Sequence, residues 1–587
     1  MAALSLEPRC PEGRLGERFA EEFGSHPAVL SGHLAVTASH DVAASGSRLW
    51  SRDKPVFWDS AREEYVRIGS AAQLEALASL LRCGRAWPAV DDCLIFEDRE
   101  GVHFFASSAG ASTFYYTERD GVLLIAIRPQ AIRSARAAPV DRLGLGEIVR
   151  FGANYGRRTL LRGVNRIPIG HVLSCTRGRT PEQRAYITFS HRPESGLDEQ
   201  ALREAIAAGL DRNLALIEGP RDLLFSGGVD SALLGLRAVH TGFANRAWFY
   251  SVSRGDPERA IAQQAASTIG LDLKVVHDET TPEDIADRIG AYALPTLDFS
   301  ILPTYALGSA VVESRGRTTF IDGTGGDAWF GFGSLAHASR WLPLHRFRML
   351  SPAARRLYLQ ILRWEHLRPL RLVKGLARTP NLPSAALGHL CANPVYSSLL
   401  DLTQEEWREI ECDLLDLMRS LTGGEVGSAK SEVIVSDATL IAVAQFAAKT
   451  SQWDLAGEAG TFYPFLMPNL VALGQKMPPE LLLRGGTAKP LLKDLVAQSA
   501  LGHSFAYRRK SGFQPPLQRL LQDESAREIL FSSPSVGVDD SAWTKTAREL
   551  PERLLSDRNT LRIGGLYPIW AAIAIKLWLK SLRQLGA

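Results

Sequence analysis

Two rhythms of apolar and polar positions divide the chain. Up to about residue 195 the apolar residues come in short runs, CLIFED (93 to 98), VHFFASS (102 to 108), TFYYTE (113 to 118) and VLLIAI (122 to 127), with polar turns at Asp98 to Gly101 and Glu118 to Gly121. Such runs joined by turn residues predict strands paired as hairpins. A hydrophilic stretch at 190 to 200 closes this region, a helical pattern follows at Ala201 to Leu216, and the domain boundary is placed between residues 195 and 196. From Arg221 the rhythm becomes strand, glycine loop, helix. Apolar runs at Leu223 to Phe225, Trp248 to Val252, Leu273 to Val276 and Thr319 to Ile321 alternate with helical patterns at Asp230 to Val239, Pro257 to Ile269, Pro282 to Tyr292 and Pro303 to Val312. Three of these helices open on proline, which suits a first turn because the missing N–H would have no helical partner there. The alternation predicts a doubly wound α/β domain on a parallel sheet. Ligands of such sheets bind beyond the carboxyl ends of the strands.

Composition narrows the class. The 587 residues carry 67 Lys+Arg against 64 Asp+Glu, a formal net charge of +3. That is too little for a chain that coats nucleic acid or a membrane through its overall field. The total conceals separate patches. Residues 340 to 378 hold ten Lys or Arg and one acid, Glu365, whereas 401 to 416 hold seven acids and only Arg408. The basic stretch suits docking of an acidic leader or of a partner bearing one; solvated helix charges are the plainer explanation. Six scattered cysteines without a CxxC pair argue against disulfides and structural zinc and fit a reduced, cytoplasmic compartment. The start, MAALSLEPRCPEGR, has no apolar run after a basic stretch, so a signal peptide is not expected in it. The apolar run Leu566 to Ile575 contains Pro568 and meets Lys576, so it reads as a buried helix and not as an integral membrane span.

The most informative element is Leu223-Leu224-Phe225-Ser226-Gly227-Gly228-Val229-Asp230-Ser231. A strand ends in a Ser-Gly-Gly turn and passes directly into a helix, which aims backbone N–H groups, two hydroxyls and a helix N-terminus at one point. That arrangement suits a polyphosphate. Asp230 would repel phosphate without a divalent cation between them, which makes it a natural Mg²⁺ ligand. The competing explanation is a tight turn capped by serine and aspartate. A second strand ends in Phe320-Ile321-Asp322-Gly323-Thr324-Gly325-Gly326-Asp327, bringing Asp327 to the same sheet edge as a further Mg²⁺ ligand.

The string SGGVDS resembles the pyrophosphate loop of the ATP-pyrophosphatase superfamily, and Gly323 to Gly331 resembles the GxGxDxxFxG element of the asparagine synthetase family. Tyr463-Pro464-Phe465-Leu466, Gly486-Thr487-Ala488-Lys489-Pro490 and Arg508-Arg509-Lys510-Ser511-Gly512-Phe513 resemble later landmarks of that family, in the family's order. The resemblance implies an ATP-pyrophosphatase (adenine nucleotide alpha hydrolase-like) synthetase domain over 196 to 587 that uses ATP and Mg²⁺. Leu224, Ser226, Gly227, Gly228, Asp230, Ser231, Gly323, Gly325 and Gly326 would hold the nucleotide. Lys489 would meet the phosphates of ATP or departing pyrophosphate. Lys510 would steady the oxyanion that forms as an amine attacks an acyl adenylate.

For residues 1 to 195 the resemblance implies an Ntn-hydrolase-like αββα glutaminase fold. Residue 2 is Ala2 and not a terminal cysteine, and Cys10 precedes Pro11 and Glu12, so an inactive glutaminase is expected. A family member without glutaminase chemistry resembles a β-lactam synthetase or a lasso peptide cyclase. Where the asparagine synthetases have Glu after the first glycine and β-lactam synthetases a Tyr, this chain has Thr324, which is no base at neutral pH. Glu458 is a weak candidate for that base because its spacing departs from the family's. The GxGGD form, the length and the basic insertion look most like a lasso peptide cyclase. That resemblance implies a core peptide substrate, with a leader-binding protein and a leader peptidase as partners and no nucleic acid. The alternatives are an asparagine or β-lactam type amide ligase on a small amino acid and an inactive nucleotide-binding scaffold.

Overall fold

The computed structural model describes residues 1–5, 12–332 less several short loop stretches, 335, 400–453 less 426, 459–510 and 563–585. Cys10, Glu458, the basic segment 340 to 378 and Ser511 to Pro516 lie outside the described residues. In the first 195 residues, two antiparallel six-stranded sheets lie face to face. Ala2–Ser5 is an inner strand of one, between Val122–Ala126 and Leu34–Val36. Leu94–Glu97 and Val102–Phe105 are inner strands of the other. Period-two alternation assigns the layers. Leu123 and Ile125 meet Ile95, Phe104 and Leu173 between the sheets. Val122, Leu124 and Ala126 turn outward onto Leu15 and Phe19 of the helix Glu12–Phe23. Leu94, Phe96 and Phe105 turn outward onto Leu74, Leu77 and Ala78 of the helix Ala71–Arg82. The order is therefore helix, sheet, sheet, helix. The expected hairpin at Glu118 to Gly121 is a two-residue turn in which Asp120 (φ 51°) and Gly121 (φ 72°) are both left-handed, the geometry that matches strand twist.

The second unit opens with the helix Glu199–Leu214, capped by Asp198. Its sheet has five parallel strands in the spatial order Asp272–His277, Arg246–Ser251, Arg221–Leu224, Thr318–Ile321, Ala459–Phe462. Local chemistry sets the crossover helices. Asp256 caps Pro257–Ile269, Pro257 fills its first turn, and Gly270 (φ 90°) ends it. Thr281 and Asp284 form a capping box for Pro282–Gly290. The fourth helix differs from expectation: it runs Ile301–Arg315, so Pro303 is its third residue, still inside the first turn where no N–H is required. Both faces are covered, with Leu223, Ala247 and Ile321 on one side and Trp248, Tyr250 and Phe320 on the other. A buried carboxylate fixes the central register, since Asp222 accepts from Trp248 Nε1 at 2.9 Å and from Thr318 Oγ1 at 2.7 Å, tying three strands together.

Two apolar clusters run across both units. In one of them, Leu15, Phe19 and Ile148 of the first unit join Trp248, Phe320, Trp570 and Trp578 of the second. The run expected to be a buried helix lies within Ile563–Gln584, whose Trp570 and Trp578 are buried. Another helical run, Ala429–Ser451, is long and apolar enough to cross a membrane, but 83% of its apolar window is buried inside the fold. The acidic stretch finds its partners within the chain. It forms the helix Gln404–Thr422, in which Glu406 pairs with Arg142 at 2.9 Å, Asp413 with Arg158 at 2.7 Å, and Glu411 with the buried Arg150.

Candidate active site

Strand order reverses between Arg221–Leu224 and Thr318–Ile321, because the chain winds outward from the first strand in one direction and then crosses to its other side. Loops leaving two such strands part and open a crevice. The two glycine-rich loops read from the sequence are the ones that leave these strands. In the first, Gly227 is left-handed (φ 65°) and a Cβ there would come within 3.2 Å of Ala262, so the turn requires glycine. Gly228 caps the helix Val229–His240 with its backbone alone. The Ser226 N–H donates to Ser231 Oγ at 3.2 Å, the two hydroxyls lie 3.2 Å apart, and Ser231 Oγ donates to Gly228 O at 3.1 Å. The helix N-terminus is thus left open to an anion.

In the second loop, Gly326 N donates to Gly323 O at 3.3 Å and Ala328 N to Gly325 O at 2.9 Å, which folds the chain back on the first loop. A Cβ on Gly326 would lie 2.5 Å from Asp230 Oδ1, so glycine there allows the loops to meet. Asp230 and Asp327 converge on one cation. Lys489 Nζ lies 2.6 Å from Asp230 Oδ2 and 3.8 Å from Asp327 Oδ2. Lys489 itself is in the left-handed region (φ 59°, ψ 44°) at the start of the helix Pro490–Ala497, a conformation that costs a non-glycine residue roughly 1–3 kcal/mol. Burial alone would lower its pKa, but Asp230 and Asp327 together hold it above the ordinary lysine value. Burial and, to a lesser extent, Asp327 push Asp230 above the usual carboxylate range despite Lys489.

These residues fit Mg²⁺. Asp230 Oδ1 is buried without a hydrogen-bond partner, and Asp327 adds a second hard oxygen donor. Mg²⁺ is typically held by one or two carboxylates with substrate phosphates completing its shell. When bound, it would neutralise phosphate charge beside Asp230 and Asp327. Lys489, expected against phosphate, is placed between these two carboxylates.

Lys510 reaches the first loop from 282 residues beyond Gly228 in the chain. Its Nζ lies close over Gly228, where a Cβ would be 3.2 Å away. Burial lowers its pKa, only partly countered by Asp230 and Glu258. Arg508, to which the sequence reading gave no role, fixes this approach. Its guanidinium donates to Gly227 O at 2.8 Å and to Glu258 at 2.7 and 3.1 Å. The only sequence signal for it was its place two residues before Lys510 in the Arg-x-Lys landmark.

A cavity of about 950 Å³ joins these parts, lined by Leu224, Ser226, Asp230, Gly323, Asp327 and Lys510. Its other lining residues include the apolar Trp248, Val252 and Leu307, together with Ser300, Phe446 and Lys449. Thr324 lines it too, but its N–H and hydroxyl both donate to Asp322 Oδ1, at 2.8 and 2.9 Å. An open helix N-terminus, a paired carboxylate site and a lysine over the turn, at the switch point of a parallel sheet, define a nucleotide-activating enzyme.

The particular family follows from the sequence match. The asparagine synthase family model covers residues 201–579, and the chain belongs to that family. It is an ATP-dependent, AMP-forming amide ligase. No curated protein matches the sequence. Among solved structures, an allosteric regulatory enzyme of purine biosynthesis is similar at 9% identity, covering 47% of this chain and 74% of its own, with a TM-score of 0.19. A glutamine phosphoribosylpyrophosphate amidotransferase from B. subtilis is similar at 9% identity over 57% of this chain and 70% of its own, with a TM-score of 0.18. Likeness at that level carries no argument here.

Proposed function

We propose that the enzyme closes a macrolactam ring in a lasso peptide. An Asp or Glu side-chain carboxylate of the core peptide attacks the α-phosphate of ATP, pyrophosphate leaves, and the peptide's N-terminal amine displaces AMP to form an isopeptide bond. Lys489 steadies the phosphates and Lys510 the oxyanion that develops beside them. Mg²⁺ at Asp230 and Asp327 would serve the pyrophosphate.

The observation that carries this reading is the size of the cavity. At about 950 Å³ it stands at the upper end of the roughly 300–1,000 Å³ usual for ligand sites. Besides the loop residues its lining includes Ser300, Phe446 and Lys449, which on this reading meet the acyl chain of the peptide. Support also comes from the N-terminal unit, where Cys93 and Cys175 are buried between the sheets and burial pushes the Cys175 thiol up to about 12. Cys175 therefore supplies no thiolate for releasing ammonia from glutamine. On this reading the substrate reaches the cytoplasmic enzyme leaderless, after a leader-binding protein and a leader peptidase have acted. Closure then requires the amine and the activated carboxylate to be held together.

The test is direct. Purified protein with ATP, Mg²⁺ and a candidate core peptide yields a product lighter by one water, with one AMP per ring. AMP release without cyclisation refutes the cyclase. Pyrophosphate exchange driven by free aspartate and not by peptide favours the small-molecule ligase instead.

A further inference from the structure

An amine that attacks an acyl adenylate must lose a proton, and Thr324 cannot take it. Its hydroxyl is already committed as a donor to Asp322. Asp322 is the first residue beyond the strand Thr318–Ile321, which pairs with Arg221–Leu224 through Ile321 and Leu223. It therefore stands about one strand spacing, roughly 4.8 Å, from the strand that delivers the phosphate loop. It lines the same cavity as Ser226 and Lys510.

We propose that Asp322 is the catalytic base that accepts the proton of the attacking amine. A carboxylate offers about four acceptor positions. Three are taken, by Thr324 N at 2.8 Å and Thr324 Oγ1 at 2.9 Å on Oδ1, and by Thr450 Oγ1 at 3.0 Å on Oδ2. Among the described residues nothing takes the fourth, on Oδ2, which is left for substrate. Thr450 is itself held, with its Oγ1 2.7 Å from the Tyr463 hydroxyl, which also contacts Ala447 O at 2.8 Å. A base oriented by fixed donors is the arrangement acyl transfer needs. Asp322 also differs from Asp230 and Asp327 in having no ion pair among the described residues, so it is not engaged by Lys489. In the step, the amine lone pair forms the C–N bond and the nitrogen's proton passes to Asp322 Oδ2. The C–O bond to AMP breaks with its electron pair leaving on the phosphate, and Asp322 then returns the proton to solvent. Thr324 and Thr450 are positioning residues.

This inference rests on the amide-ligase reading, and the test separates the two. Hydroxylamine is uncharged and strongly nucleophilic at neutral pH, so it captures an acyl adenylate without a base. The wild type with ATP and core peptide should form both ring and hydroxamate; if it forms no hydroxamate, adenylation of the peptide is wrong, whatever Asp322 does. Asp322→Asn should keep hydroxamate formation while ring formation falls about 10²–10⁴-fold. Ring formation at the wild-type rate, or loss of hydroxamate together with the ring in a folded variant, overturns the proposal. Should the Asn variant fail to fold, Thr450→Val gives the same reading. Ring formation slowed more than hydroxamate formation supports a base held by Thr450, and equal slowing of both contradicts it.

Discussion

The two halves of the molecule bury their sheets on both faces and reach opposite ends. In the N-terminal sandwich each sheet is covered on both faces, and among the described residues the cysteines Cys93 and Cys175 are buried between the sheets. In the synthetase half the faces are covered as fully, yet the strand ends are left open where the order reverses, and Ser226, Asp230, Asp322 and Asp327 gather there. Burial of faces makes a scaffold, whereas a topological switch makes a site. The comparison can be broken by any crevice residue whose loss harms only stability, or any sandwich residue whose loss harms only chemistry.

The largest effect is expected for Asp230→Ala, which removes the buried oxygen without a partner and leaves Lys489 facing Asp327 alone. Peptide-dependent pyrophosphate exchange should fall to background while the thermal midpoint changes little. Lys510→Ala comes next. Loss of one donor to a developing oxyanion costs about 10²–10³ in kcat, measured as the rate of ring formation at saturating peptide and ATP. Because burial lowers the Lys510 pKa, its ammonium is lost at a lower pH than an ordinary lysine's. The kcat/KM profile of the wild type should therefore fall on the alkaline side before an ordinary lysine would titrate. Arg508→Ala frees the Lys510 approach from Gly227 and Glu258, and a loss of about tenfold in kcat is expected, since small misplacements of a reacting group cost up to about a hundredfold. The smallest effect on chemistry belongs to the sandwich. Phe104→Ala, at a buried ring packed edge-on to Phe114 at 5.6 Å, should cost about 3–5 kcal/mol in denaturant unfolding and leave kcat per folded molecule unchanged.

Much of this division is legible in the sequence because both sheets obey local rules. Period-two runs, an Asp-Gly hairpin turn, proline first turns and the Ser-Gly-Gly break each act within a few residues. What stayed hidden depends on distance along the chain. The strand Ala459–Phe462 is small and polar at its start, so no apolar run marks it, and its place beside Thr318–Ile321 comes from tertiary pairing. The π-helix Asp437–Ala447, which carries Phe446 to the cavity wall, has no turn or cap signal of its own. Arg508 meets Glu258, and Asp322 meets Thr450, across 250 and 128 residues. Charge segregation was visible at 401 to 416, but its partners Arg142, Arg150 and Arg158 emerged only from the fold.

In the proposed reaction a carboxylate is activated by transfer of the adenylyl group of ATP to one of its oxygens, with release of pyrophosphate. The most direct measurement uses core peptide labelled with ¹⁸O in its side-chain carboxyl group, with the released AMP analysed by mass spectrometry. One ¹⁸O in each AMP phosphate is the predicted result, since the oxygen that attacks the α-phosphate stays with it when the amine displaces AMP. Unlabelled AMP, or label in inorganic phosphate with release of ADP, would contradict it.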